Sequence, residues 1–152
     1  MINPAHLHLV TNHIPVLGCL FVGALLAAAL ATRSADLARA SLAAFALVAL
    51  VTIPAYLSGD PAHEIVEEMD GVSRRAIHTH EDAALPAFVV IETLGALSVF
   101  GLVWFRGGRP APRAFLAAAL ALAIVASLLV ARAANLGGLI RHPEIRIQNA
   151  SP

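Results

Sequence analysis

Residues 114–131 read AFLAAALALAIVASLLVA, a run that carries no charge and has Ser127 as its only polar side chain. A helix packed inside a water-soluble bundle keeps a polar stripe at helical spacing for its wet face, and this run has none. Roughly 20 residues of helix cross the hydrocarbon core of a bilayer. The run is therefore read as a membrane span whose helix continues to about residue 135. Residues 14–31, 40–59 and 83–105 form three more such runs, the third interrupted by a single charge, Glu92. The chain is 59% apolar and 13% charged, with a mean hydropathy of +0.78, which removes it from ordinary soluble domains. The expected fold is all-α, an integral membrane four-helix bundle forming one domain over residues 1–152.

Four spans put three segments on one side: those before the first run, between the second and third, and after the fourth. All seven histidines lie in these segments: His6, His8, His13, His63, His78, His80 and His142. The connecting loops, 32–39 and 106–113, hold none. They carry Arg33, Arg39, Arg106, Arg109 and Arg113 against one acid, Asp36. Basic residues next to spans favour the cytoplasm. Both termini and every histidine are thus expected outside, on the periplasmic face of a bacterial inner membrane. A secretory signal peptide needs a basic start, which residues 1–11 lack, so the first helix is expected to stay as an anchor. Zero net charge without a lysine argues against a nucleic-acid partner. The bilayer is the expected partner, with room for a redox protein or a second copy. Cys19 is the sole cysteine and has no intrachain partner.

Asn3-Pro4 has the form of an N-cap followed by proline at the first helical position. Pro15, Pro54 and Pro86 fall at one depth, near the histidine side, and Gly137-Gly138 lies there too. Together they are expected to loosen the helix ends and open the bundle on that face. A short surface helix is expected at about 61–69, with Asp60 as N-cap and Asp70-Gly71 as the stop. His6-x-His8 before the first span matches His78-x-His80 before the third. Gly59 precedes His63 by the same interval as Gly138 precedes His142. The pattern predicts a bundle built from two similar helical hairpins, related by an axis along the membrane normal.

Imidazole is the commonest protein metal ligand, and acids are interleaved with it here. His78, Glu81 and Asp82 share a helix face from which His80 turns away, and His63 lies four residues before Glu67. Nitrogen and oxygen donors of this kind suit Zn, Fe, Mn or Cu(II). The expected ligand set is His8, His13, His80 and His142 with Glu64, Glu81 and Glu144. The alternative is an electron-transfer subunit with one b-type haem on His13 and His80, with His8 able to replace His13; a second haem is excluded because the other face has no histidine. A third reading is an anchor or assembly subunit of a larger complex. Glu92 is expected to form an intramembrane ion pair with Arg132. Residues 139–147 are expected to fold back as an extended strap bearing His142 and Glu144, with Arg141 and Arg146 pairing with acids of residues 60–82. No nucleophile or cofactor motif assigns an enzymatic reaction.

HLHLVTNHIPVLG at 6–18, YLSGDPAHE at 56–64, THEDAAL at 79–85 and ANLGGLIRHPEI at 134–145 resemble a group of small bacterial four-helix membrane proteins, a domain of unknown function that is histidine-rich on one face. The resemblance covers nearly the whole chain. It implies an association with redox modules and assigns no catalytic residue.

Overall fold

A computed structural model describes residues 3–107 and 109–142. These residues form six helices and no strand. They are α1 (Pro4–Thr11), α2 (His13–Thr32), α3 (Ala35–Leu57), α4 (Gly59–Val66), α5 (Arg74–Trp104) and α6 (Arg113–Arg141). With α1 running on into α2 and α3 into α4, four helical stretches are long and apolar enough to cross a membrane. The 31 residues of α5 span about 46 Å at ~1.5 Å per residue. That exceeds a hydrocarbon core of roughly 30 Å and leaves turns to spare.

The two breaks have local causes. Pro15 lacks the N–H that would continue the helix through Thr11, and the chain turns at Asn12, between α1 and α2. Pro61 does the same to the carbonyl of Leu57, and Ser58 separates α3 from α4. Pro54 and Pro86, by contrast, lie inside α3 and α5, which run on through them. At the chain start, Asn3 Oδ1 accepts from the N–H groups of Ala5 and His6, at 2.9 and 3.4 Å, so α1 begins at Pro4 as expected. The surface helix differs. It covers Gly59–Val66, and Asp60 sits inside its first turn instead of capping it. The N-cap position belongs to Ser58, whose hydroxyl donates to the Ala55 carbonyl at 3.0 Å and makes no capping bond to the new helix.

α2 packs on α3 and α6, and α5 packs on the same two helices. The four long helices thus close a ring in which α2 faces α5, and α3 faces α6, across the centre. Close approach relies on small residues. A Cβ on Gly95 of α5 would overlap the Ala49 methyl of α3, and one on Gly18 of α2 would stand 2.6 Å from Val48 of α3. One core cluster joins Leu26, Leu42, Phe45, Leu94, Leu116 and Ala119. A second, nearer the histidines, joins Cys19, Val48, Ala49, Ala87, Ile91, Ala126 and Val130. Hydroxyls within the helices are satisfied by their own backbone: Ser41, Thr52 and Ser98 each donate to the carbonyl four residues back at 2.7 Å. The outer surface is apolar. Phe21 is 67% and Leu128 68% exposed, a density of bare large hydrophobics that water-soluble monomers do not tolerate over wide patches.

α1 lies against α4 and α3 at the histidine end of the ring. α6 continues unbroken to Arg141, so residues 139–141 are helical and not part of an extended strap. The glycines at 137 and 138 are carried within the helix, whose backbone hydrogen bonds reach as far as the His142 N–H on the Gly138 carbonyl.

Candidate metal centre

Two histidine groups form at this end of the bundle. The outer one joins α4 to the first turns of α5. Glu81 is its centre: Oε1 lies 2.7 Å from His63 Nδ1, and Oε2 lies 3.1 Å from His78 Nδ1. The two imidazole rings stand nearly perpendicular, with centroids 5.4 Å apart. His63 Nε2 is 3.4 Å from Glu67 Oε2, and the same oxygen accepts from Arg74 Nε at 3.1 Å. Ligand atoms of His63, His78 and Glu81 all fall within 4.8 Å of one another. Donors bound at ~2.0–2.2 Å to one tetrahedral ion are separated by about 3.5 Å, so small side-chain rotations would converge all three on a single ion. Exposure is graded: the His63 side chain is 20%, Glu81 32% and His78 63% accessible. An ion there would be held from the protein side and open to solution on the other.

The inner group is a pair. His8 of α1 and His80 of α5 meet with ring centroids 6.3 Å apart and planes at 86°. Each ring is fixed by a main-chain carbonyl of the helix beside it. His8 Nδ1 donates to Ala55 O of α3 at 2.9 Å, with Ser58 Oγ at 3.5 Å. His80 Nδ1 donates to Ala133 O of α6 at 2.8 Å. A carbonyl only accepts, so both rings carry their proton on Nδ1. His8 precedes the apolar run of the first span. Burial holds its pKa below the usual imidazole value; the Ala55 carbonyl works in the opposite direction, and nearby His80 adds to the lowering.

No family model matches the chain. No curated protein and no solved structure is significantly similar to it either.

Of the ligands expected from the sequence, the structure brings together His8 and His80, and places Glu81 in the other group with His63 and His78. Glu64 points away into solvent on α4. His13 is also exposed, its Nδ1 donating to the Leu9 carbonyl of α1, one turn back along the chain, at 3.1 Å. It does not meet His80; the histidine that does is His8, the other candidate of the haem reading. His142 is exposed immediately after α6, and Glu144 and Arg146 lie outside the described residues. Arg141 contacts the sulfur of Met69 at 3.5 Å instead of an acid.

The intramembrane ion pair is absent. Arg132 is exposed on the outer side of α6, while Glu92 Oε1 is buried without a hydrogen-bond partner among the described residues. Rise along the axis put the two at compatible depths, but their positions around α5 and α6 turn them apart. His63 and His78 are the ligand candidates that the sequence set omitted. Their spacings to Glu67 and Glu81 were the available signal, since pairs three and four apart share a helix face. That α4 folds against α5 to merge those pairs is a tertiary fact.

Proposed function

We propose that the protein is a multi-pass membrane protein of a bacterial inner membrane that binds a transition metal ion on its outer face, through His63, His78 and Glu81. The convergence of three ligand atoms from two separate helices is the observation that carries this reading. Two imidazoles and one carboxylate suit Zn, Fe, Mn or Cu(II). Glu67 holds the far nitrogen of His63, and Arg74 holds Glu67, an outer shell of the kind that orients ligands and tunes their basicity.

The membrane placement is supported by the apolar outer surface and by helices long enough to span. The arginines of the short loops favour those loops inside, which leaves the histidine end outside. The two-hairpin construction is supported by the second histidine of each H-x-H pair reaching for the end of the next long helix, His8 to Ala55 and His80 to Ala133. A haem on His13 and His80 would require His13 to leave Leu9 and swing across the end of the bundle; the ion reading requires no such movement.

Zn2+ binding by the purified full-length protein tests the proposal. Wild type should retain a stoichiometric ion at His63, His78 and Glu81 through gel filtration. The His63→Ala/His78→Ala variant should lose that equivalent while keeping its helical circular dichroism. Unchanged binding in the variant would overturn the assignment.

A further inference from the structure

We infer that His8 and His80 form a second, inner metal site: an imidazole pair at the bundle axis that takes a nitrogen-preferring transition metal ion, Cu2+ or Zn2+. This goes beyond the outer centre and does not depend on it.

Topology supplies the first argument. α1 leads into α2, and α2 lies across the ring from α5. The His8 ring of α1 and the His80 ring of α5 nonetheless approach each other at the histidine end, across the ring from one half of the chain to the other. The two halves of the chain treat their histidine alike, each tying Nδ1 to a carbonyl near the end of its own second long helix. An ion on the axis would thus see two near-equivalent imidazoles, one from each half.

Hydrogen bonding supplies the second. A metal-ligating histidine characteristically donates one ring N–H to a carbonyl or carboxylate and offers the other nitrogen to the metal. Both rings are in that state. Their Nδ1 protons are committed to Ala55 and Ala133, and no hydrogen bond of a described residue reaches either Nε2. Each half-buried ring thus keeps one acceptor nitrogen without a hydrogen-bond partner among the described residues. No hydrogen bond relates the rings to each other, so mutual pairing does not account for their approach.

Spacing supplies the third. Two imidazoles with metal–nitrogen bonds of ~2.0–2.1 Å have ring centroids about 5 Å apart at a tetrahedral angle and about 6 Å apart on opposite sides of a tetragonal ion; these stand at 6.3 Å. Room for the rings comes from glycine. A Cβ on Gly137 would lie 3.1 Å from His80 Cε1, and one on Gly59 would lie 4.0 Å from His8 Cε1. The segment His78-Thr79-His80-Glu81 then serves both centres, with His78 and Glu81 facing α4 and His80 facing the axis.

The test is titration of the full-length protein in detergent with Zn2+ alone and with Cu2+ alone, read by elemental analysis after gel filtration. His8→Asn and His80→Asn are the informative variants. An asparagine amide can still donate to Ala55 or Ala133 but has no second ring nitrogen. Wild type should bind two equivalents. Each asparagine variant should lose one and keep the other, whereas Glu81→Gln should lose the opposite one. In the Glu81→Gln background, Cu2+ should give an electron paramagnetic resonance spectrum with hyperfine splitting from two imidazole nitrogens. Wild-type stoichiometry in both asparagine variants, or a single-nitrogen copper spectrum, would overturn the inner site and leave the outer one standing. The reverse result, one equivalent sensitive to His8 and His80 but not to Glu81, would remove the outer site alone. A Soret band that disappears in His8→Asn would also overturn the inner ion site, by assigning the pair to haem.

Discussion

His80 on α5 donates its Nδ1 proton to the Ala133 carbonyl on α6 at 2.8 Å, and its ring lies over Gly137, one turn further along that helix. The hydrogen bond sets the tautomer. The missing side chain at 137 lets the ring lie flat enough to reach the axis.

Gly137→Ala should therefore separate metal binding from stability. Alanine is favoured over glycine in a helix interior by up to about 1 kcal/mol, which offsets much of the crowding against a ring edge 3.1 Å away. The melting temperature should move by only a few degrees. Affinity at the His8–His80 site should fall by about tenfold, at the low end of what loss of an orienting contact costs a metal site. Competition titration against a chelator reads the change.

Glu81→Gln should act on the outer centre. The amide keeps the shape of the side chain but loses the charge that His63 and His78 share. Zn2+ affinity there should drop by about 100-fold or more, beyond the roughly 10–100-fold that loss of an outer-shell partner costs, because Glu81 is itself a ligand. The accessibility of these side chains makes a small effect on unfolding the expected companion.

Glu92 and Arg132 should prove independent. Arg132→Ala should change stability by no more than about 0.5 kcal/mol, as exposed substitutions generally do. The coupling energy with Glu92→Gln in a double-mutant cycle should stay below about 0.5 kcal/mol. Reversible unfolding in mixed micelles measures both. A coupling of several times that size would restore the ion pair.

Gly95→Ala should be more damaging than its size suggests. The added methyl would overlap that of Ala49 across the α3–α5 contact, and both positions are buried in packed helices with no flexible side chain to yield. A cost of about 1–3 kcal/mol is expected for overpacking of this kind, visible as a lower melting temperature.

The helical class was legible because hydrophobic runs of spanning length dominate the sequence, and the start of α1 because Asn3-Pro4 is a strong local signal. The histidine end was legible as a region. Its internal pairing was not. Helix periodicity separates His80 from the face of His78, Glu81 and Asp82, but does not say which of the two faces turns inwards. The same gap explains the omission of His63 and His78, which become neighbours only when α4 folds against the start of α5. Depth alone pairs Arg132 with Glu92, and depth says nothing of azimuth around a helix. Gly137-Gly138 signals a loosened α6; in the structure the glycine at 137 admits the His80 ring from the neighbouring α5.

The central claim is that His63, His78 and Glu81 hold a metal ion. Elemental analysis of purified protein loaded with Zn2+, alongside the His63→Ala/His78→Ala variant, tests it most directly. The account predicts that one equivalent per chain depends on those two histidines and that the variant remains helical. Equal Zn2+ content in wild type and variant, or no retained metal in wild type, would contradict it.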